Sequence, residues 1–356
     1  MKRLPIFLVL FLAVLLVFGD LAFAQNQPEG ERRSGTSAAS ELLIPVSSRY
    51  IATGGANVAT VSDVESMYWN PAGLALAERS ANGMFEHTTY LAEMDVNYIA
   101  VSSRFGGFGS IGVSFKQLAI GDIAITTEDS PDGTGGIISP QFLVFGLTYS
   151  RALSNRISVG ATANLISETI DRASASGVAF DFGVQYRDLV GVNGLSFGVT
   201  LKSIGPSMQY GGTALLYEAQ PSDVTRGPSP VRIETGKDEL PSSLAIGLGY
   251  NWALSENNSV ELVGSYTDNN FDDDHTRLGA QYNFNNLVFL RGGYNFAFNA
   301  GKEGATASGK DRFIYGLALG AGVHTNVGGL AIDLDYAFRQ VEFFDNNNVF
   351  SVKLGF

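Results

Sequence analysis

The chain has no cysteine and few charged side chains for its length. None of its 356 residues is cysteine, and charged residues make up 16% of them, compared with about 25% in ordinary soluble domains. The lack of cysteine excludes disulfide bridges and any zinc site that depends on thiolates. The shortage of charge indicates that a large part of the surface does not face water.

Long apolar runs and basic residues are also scarce. After Ala24 no apolar run is long enough to cross a bilayer as a helix, because polar residues or glycine interrupt every candidate. The chain has 23 Lys and Arg against 35 Asp and Glu, so its net charge is −12. Binding to a phosphate backbone needs a basic surface. The composition therefore argues against a nucleic-acid partner.

The first residues have the pattern of a secretory signal. Lys2 and Arg3 precede an apolar run from Leu4 to Phe18, and Ala22-Phe23-Ala24 has the small-x-small pattern of a cleavage site. We therefore predict export to the far side of the inner membrane. An exported chain without a membrane helix is either soluble there or a β-barrel in the outer membrane.

Apolar residues alternate with small or polar residues in many segments of the sequence. Near one end, Phe350, Val352 and Leu354 alternate with Ser351 and Lys353. Such segments recur at lengths of about ten residues, which a tilted strand needs to cross a bilayer. Because an unpaired carboxylate is costly in hydrocarbon, the apolar side is expected to face lipid and the polar side the lumen.

The alternation predicts about fourteen strands. They cover residues 81–88, 94–105, 108–120, 141–151, 156–170, 177–187, 195–204, 240–252, 259–268, 275–284, 287–298, 312–324, 329–339 and 346–356. Short and long connections alternate between them, as in bacterial outer-membrane barrels, which places both termini in the periplasm. The predicted fold is all-β, a transmembrane antiparallel β-barrel. The alternative is a secreted β-sandwich or propeller, which would show shorter strands and more surface charge.

Four regions follow from these patterns. We predict a signal peptide over residues 1–24, a flexible polar leader over 25–40, an N-terminal plug segment over 41–80 and the barrel over 81–356. The leader contains too few apolar residues to form a packed core. Residues 41–80 fit neither a long helix nor a regular array of strands.

The segment before the barrel carries the most specific motif. It contains Gly54-Gly55-Ala56, then Asp63-Val64-Glu65, then Trp69-Asn70-Pro71-Ala72-Gly73-Leu74. In these residues the chain resembles the PorV/PorQ family of outer-membrane proteins and, more remotely, the FadL-like long-chain fatty-acid channels. The resemblance implies a barrel of fourteen strands with an inward-folded plug. The motif residues assigned to the plug are Asp63, Glu65, Trp69, Asn70, Pro71, Ala72, Gly73 and Leu74.

Elementary chemistry gives this motif a second explanation. Asn70 before Pro71 favours a turn, and Gly73 permits a close backbone approach. Irregular backbone at membrane depth is tolerated only inside protein or in a wet cavity, which a plug in the lumen provides. The alternative is a surface turn that leads into the first strand.

The resemblance implies two functions. PorV-like proteins are components of type IX protein secretion, and their partners are secreted cargo or secretion subunits. FadL-like proteins pass hydrophobic small molecules such as fatty acids through a plugged barrel. We rank secretion or outer-membrane assembly first, because the motif is closer to PorV/PorQ, and passive uptake of hydrophobic small molecules second. Under either function, outer-membrane lipid surrounds the barrel.

The longest predicted loop spans residues 205–239 and is unusually apolar. Its apolar residues are Met208, Tyr210, Leu215, Leu216 and Tyr217. Apolar groups of this kind either mark a surface for a partner or ligand, or fold over the barrel mouth as a cap.

Several charged residues occupy strand positions whose side chains are predicted to face the lumen. They are Asp181, Lys202, Arg277, Arg291, Asp333, Asp335, Arg339 and Lys353. Such charges either pair with one another and rigidify the plug and wall, or line a polar path.

No catalytic residue, cofactor or metal site is predicted. His87, His275 and His324 are scattered, and no spacing around them suggests a hydrolytic triad. The acidic cluster Asp268, Asp272, Asp273 and Asp274 lacks the spacing and glycine of an EF-hand, so we predict a solvated outer loop in preference to a calcium site.

Overall fold

Fourteen antiparallel strands form a closed barrel in the computed structural model, which describes residues 36–219, 228–297 and 314–356. Each strand pairs with its neighbours in sequence, and the last strand pairs with the first. The strands are β1 Ala81–Thr89, β2 Asp95–Arg104, β3 Ser110–Ala119, β4 Gln141–Ala152, β5 Ile157–Ile170, β6 Ala173–Arg187, β7 Leu195–Ile204, β8 Ser243–Ala253, β9 Ser259–Asn269, β10 His275–Phe284, β11 Val288–Ala297, β12 Tyr315–Val327, β13 Leu330–Val341 and β14 Asn347–Gly355. The predicted all-β barrel is confirmed.

Some strand boundaries differ from the prediction for identifiable reasons. Strand β8 begins at Ser243, because Pro241 has no N–H to donate to a ladder. Strand β6 begins at Ala173, four residues earlier than predicted, and pairs there with the end of β5. Residues 173–177 are small, so they show no apolar alternation, and the predicted long link after β5 is a tight turn.

The two faces of the wall have opposite character. Outward-facing Phe182 and Leu334 are 47% and 51% exposed, whereas inward-facing Gln185 and Asp335 are buried. This arrangement puts apolar groups where lipid lies and polar groups in the interior. Among the described residues no helix is both long and apolar enough to cross a membrane.

The remaining elements are short. Two helical turns, α1 Ser48–Ile51 and α2 Ser66–Trp69, precede the barrel. Turns of 3₁₀ helix occupy Ser40–Leu43, Pro71–Leu76, Leu91–Glu93, Gly106–Phe108, Leu189–Gly191 and Thr213–Leu215. In the long connections, Ile123–Ala124 pairs with Ile137–Ile138, Leu216–Ala219 pairs with Ser229–Arg232, and Gly211–Gly212 pairs with β6.

Residues 36–80, called the lumenal segment below, run through the barrel from one end to the other. Where the segment starts, the Ala38 amide donates to the Glu239 carbonyl in the connection between β7 and β8. Where it ends, an Arg104 guanidinium N–H donates to the Ala77 carbonyl at 3.1 Å. The described chain therefore enters the lumen at the end with the long connections.

Several predictions concern residues outside the described ranges. The signal peptide and most of the flexible leader lie before residue 36, and the connection after β11 lies largely within residues 298–313. The periplasmic location of both termini stays a prediction, because the structure does not report which end of the barrel faces the periplasm.

The lumenal segment contacts the inner face of every strand. One contact residue from each strand, in order from β1 to β14, is Glu86, Tyr98, Lys116, Ser150, Glu168, Val184, Gly198, Gly247, Glu261, Gly279, Gly293, Gly320, Ala337 and Ser351. The wall thus encloses a packed polypeptide core.

Glycines in the wall allow the backbone of the segment to lie directly against the strands. A Cβ on Gly160 would overlap the Pro71 carbonyl, and a Cβ on Gly198 would overlap the Val58 carbonyl. Such overlap requires a backbone shift. Gly279 and Gly293 are in the same situation against the Thr53 backbone, whereas a Cβ on Gly183 or Gly320 would overlap the side chain of Asn70 or Ala52.

We predict that Gly160→Ala destabilises the protein by about 1–3 kcal/mol, because the added methyl group overpacks the contact with Pro71. The measurement is the temperature at which purified protein loses its folded, faster-migrating form on a mild detergent gel. Gly83→Ala is the control, since a Cβ there meets nothing closer than 3.7 Å. Equal midpoints for the two variants would contradict the close packing of the segment.

Candidate functional site: the lumenal segment and its charged contacts

The first anchor of the lumenal segment is the carboxylate of Glu86, which points inward from β1. Its two oxygens accept from the amides of Ser47 and Ser48 at 2.8 and 2.7 Å, where α1 begins. Glu86 is buried, so these bonds form away from bulk water. They fix the start of α1 against the wall.

The second anchor is Lys353 of β14, which contacts both acidic residues of the plug motif. Its Nζ lies 3.0 Å from Glu65 and 3.5 Å from Asp63, and 3.1 Å from Asp333 of β13. The Arg49 guanidinium is 4.0 Å from Glu65. This cluster joins the segment to two neighbouring strands.

The pKa of Glu65 reflects these neighbours. Burial acts to raise it, but the charges of Lys353 and Arg49 outweigh burial, and the net effect is a lowered pKa. The Ser47 hydroxyl also donates to Glu65 at 2.6 Å. Glu65 is therefore a buried carboxylate with complete pairing, which is the condition for burying a charge.

Most other inward charges also have defined contacts. Arg291 pairs with Asp335 at 2.5 Å, and His324 lies 3.4 Å from the same carboxylate. Arg277 donates to Thr267 at 2.9 Å, and Arg339 lies over the Tyr315 ring at 3.9 Å. These wall-to-wall contacts cross-link neighbouring strands, and the Arg291 pair with Asp335 joins β11 to β13 across β12.

Asp181 and Lys202 occupy a separate part of the lumen. Asp181 accepts from the Ser203 amide at 2.7 Å and from the Asn164 side chain at 2.8 Å. Lys202 lies 3.5 Å from the centre of the Tyr68 ring. These two predicted lumenal charges therefore contact different partners.

The remaining plug motif lies inside the barrel, where it folds the segment back on itself. Trp69 donates to the Val46 carbonyl at 2.8 Å, and the Asn70 amide donates to the Val58 carbonyl at 2.8 Å. Asn70 also caps the 3₁₀ turn that Pro71 starts, by accepting from the Ala72 amide. Gly73 and Leu74, which follow in the motif, are buried as well. Polar Asn70 thus holds two stretches of the segment together.

The apolar loop residues fall into two groups. Met208 is buried and packs with Ala39 and Leu240, and the Tyr210 hydroxyl donates to Glu168 at 2.5 Å. Beyond them, Leu215 ends a helical turn, and Leu216 and Tyr217 are exposed on the short hairpin. The base of the loop covers the lumenal segment, and the hairpin extends from it.

A buried pair of carboxyl groups lies beneath the loop base. Glu168 of β5 accepts from the Ala39 amide at 3.1 Å as well as from Tyr210. Glu41 of the lumenal segment lies near it and is 1% exposed. Burial, reinforced by the charge of Glu168, raises the pKa of Glu41 to about 8. Glu41 is therefore largely protonated at neutral pH.

The sequence did not single out several residues that form these contacts. Glu86 and Lys116 occupy inward-facing positions in the alternation of their strands. The pattern that located the other charges therefore contained the signal for these two as well. Arg49 and Tyr68 lie in the irregular segment, where no periodic pattern reports orientation.

The histidines and the acidic outer cluster have ordinary surroundings. His87 and His275 each lie near one aspartate, and Asp274 accepts from the Tyr266 hydroxyl. Within residues 36–219, 228–297 and 314–356, no group of three or more His, Asp or Glu is arranged to hold a metal ion.

These features define an outer-membrane barrel whose lumen holds its own N-terminal segment. The profile of the family described as "Type IX secretion system protein PorV" matches residues 27–268. The chain therefore belongs to the PorV family. No curated protein matches it.

Solved structures with a similar fold include hydrocarbon channels. The CymD monoaromatic hydrocarbon channel has a TM-score of 0.54 and 14% identity, and the match covers 88% of this chain and 98% of CymD. The Pseudomonas putida toluene transporter TodX has a TM-score of 0.52 and 12% identity, over 87% of this chain and 96% of TodX. At such identities the likeness establishes the fold.

We predict that Lys353→Met destabilises the protein by about 3–5 kcal/mol, because Glu65 and Asp63 would stay buried without their cation. The readout is the same heat-induced change of migration. The double variant Lys353→Met with Glu65→Gln should recover part of the loss. Additive losses in the double variant would show that the two residues do not interact.

We predict that Glu41 makes the protein less stable as pH rises. Its pKa is about 8 when folded and about 4.5 when exposed, so between these values the folded chain holds a proton that the unfolded chain has lost. Stability from this group is complete below pH 4.5 and declines as pH rises to about 8.

The unfolding midpoint between pH 5 and pH 9 measures this effect. Glu41→Gln should flatten the decline, whereas Glu234→Gln, on an exposed loop residue, should leave it unchanged. An identical pH profile for Glu41→Gln and the wild type would disprove the assignment.

Proposed function

We propose that this protein is a non-catalytic outer-membrane component of protein secretion, of the type IX kind that its family name describes. It acts as a closed barrel that presents its long-connection end to a protein partner. The observation that carries this proposal is the occupied lumen. The lumenal segment contacts all fourteen strands and is held there by buried charged contacts.

The chemistry of these contacts argues against an open path for apolar solutes. The Lys353 cluster, the Glu86 anchor and the Arg291 pair with Asp335 all lie in the lumen. An apolar solute that displaced the segment would separate Lys353 from Glu65, and Glu86 from the Ser47 and Ser48 amides, at a cost of several kcal/mol, whereas the wall-to-wall pair of Arg291 with Asp335 would stay intact. A stable closed state is the expected resting form.

The hairpin of Leu216–Ala219 and Ser229–Arg232 supports the partner role. Leu216 and Tyr217 are exposed on one strand, and Val231 is exposed on the other. Among the described residues these two strands pair only with each other, so a partner strand could extend this small sheet. A protein partner would bury these apolar side chains.

The second candidate function is passive uptake of hydrophobic small molecules such as fatty acids. The observation in its favour is the likeness of the fold to the CymD monoaromatic hydrocarbon channel and the toluene transporter TodX. Uptake by this route requires displacement of the lumenal segment.

Conductance in a planar bilayer tests the closed barrel. We expect the purified wild-type protein to be silent, and a variant that lacks residues 41–78 to show steady conductance steps. Heat-induced migration on a gel verifies that the shortened barrel is folded. Steady conductance of the wild type would contradict the closed state.

Photo-crosslinking in cells tests the partner surface. A photoreactive phenylalanine in place of Tyr217 should give protein adducts. The same residue in place of Tyr282 is the matched control, because Tyr282 is exposed near the opposite end of the barrel. If neither position gives adducts, and fatty-acid uptake falls when the gene is deleted, the channel function replaces the proposed one.

A further inference from the structure

A shallow apolar groove runs along the lipid-facing side of β5. Its floor consists of Val159, Ala161 and Ala163, which face outward because the residues between them point into the lumen. Thr162, for example, is buried and shares a hydrogen bond with Thr148 of β4 at 2.8 Å. The floor is about 13 Å long, since a strand rises about 3.3 Å per residue.

Large side chains from the two neighbouring strands form the walls of this groove. The residues paired with Ala161 and Ala163 are all large and exposed, namely Leu147 and Tyr149 of β4 and Phe180 and Phe182 of β6. Neighbouring strands lie about 4.8 Å apart, so the backbones of the two walls are about 10 Å apart. The small side chains of the floor leave room between these walls for an extended acyl chain.

Three arginines lie at the end of the groove nearest the short turns. Arg151 of β4 faces outward beside Val159, and Arg156 lies in the turn between β4 and β5. Arg187 ends β6, and its guanidinium donates to the Asn155 carbonyl of that turn at 3.0 Å. All three arginines are exposed. Among the described residues, no carboxylate oxygen lies within 4.0 Å of their guanidinium groups.

This end of the groove carries a net positive charge. A guanidinium stays protonated in proteins. Residues 150–158 and 186–194 contain the three arginines and one acidic residue, Asp188, which offsets one of their charges. Of the neighbouring turns, the one between β2 and β3 adds Arg104 and the one between β8 and β9 adds Glu256, so they leave the balance unchanged. Two positive charges remain without a counter-ion from the chain.

We propose that this groove binds one anionic phospholipid, with its phosphate at Arg151, Arg156 and Arg187 and one acyl chain over Ala161 and Ala163. Guanidinium groups bind phosphate through paired N–H donors, and basic residues at a membrane surface attract lipids of net negative charge. The groove opens to the hydrocarbon layer and the arginines lie at its edge, so both parts of the lipid stay at their usual depth. The site lies on the outer wall and does not depend on the secretion role.

Native mass spectrometry of the wild-type, full-length protein tests the proposal without a variant. The protein in a non-ionic detergent is mixed with phosphatidylglycerol or with phosphatidylcholine of the same chain length. We expect one phosphatidylglycerol to be retained several-fold more strongly than phosphatidylcholine, which carries no net charge. Equal retention of the two lipids would overturn the proposal.

The variant Arg151→Gln tests the headgroup contact. It should weaken retention of phosphatidylglycerol about fivefold, the loss expected for one basic residue near an anionic surface. Arg172→Gln is the matched control, because Arg172 is exposed in the turn at the opposite end of β5 and β6 and its replacement removes the same charge. Heat-induced migration on a gel verifies that both variants are folded. Equal retention by the two variants would contradict the assignment.

The variant Ala161→Leu tests the groove itself. The larger side chain fills the floor from the lipid side, so retention should fall although all three arginines are present. Ala280→Leu is the control, because Ala280 is an exposed outward position on β10, away from the groove. Equal retention by these two variants, or full displacement of the lipid by millimolar inorganic phosphate, would show that the acyl chain is not bound and would overturn the proposal.

Discussion

The absence of hydrogen-bonding partners in lipid governs the whole structure. Every polar group at membrane depth must be satisfied inside the barrel. The strands pair their backbone N–H and C=O groups with those of neighbouring strands, and the pairing of β14 with β1 closes the sheet. The irregular lumenal segment has no such ladder, so wall side chains take its place. Glu86 binds two of its amides, Ser150 binds the Ala72 carbonyl and Lys116 binds the Ile44 carbonyl. The segment is therefore part of the core of the protein.

Two kinds of contact hold the segment in the lumen. Where its backbone lies against a strand, as at Pro71, the wall has a glycine, because any side chain would overlap it. Where the segment presents acidic side chains, as at Glu65, the wall supplies Lys353. Glycine permits close approach but contributes no attraction, whereas the ion pair attracts but needs full pairing to offset desolvation. Both are required for a tightly occupied lumen.

The strands could be predicted from the sequence because a period of two reports both the element and the direction of each side chain. The same parity placed Asp335 and Lys353 inside. It could not identify their partners, since Glu65 and Lys353 are 288 residues apart and only barrel closure brings them together. The lumenal segment has no period, so Arg49 and Tyr68 gave no signal. Strand β6 was predicted too short because residues 173–177 carry no apolar alternation.

The connection between the lumenal segment and the long loop explains how a closed barrel can present the binding surface that we propose. Glu168 accepts from Ala39 of the segment and from Tyr210 of the loop, so lifting the loop base would remove a hydrogen bond from a buried carboxylate. The loss of such a bond is costly. Met208 adds apolar packing at the same place. The base is thus fixed to the segment, while exposed Tyr217 on the hairpin beyond it has no such constraint. A partner that binds the hairpin can therefore be accommodated without opening the lumen.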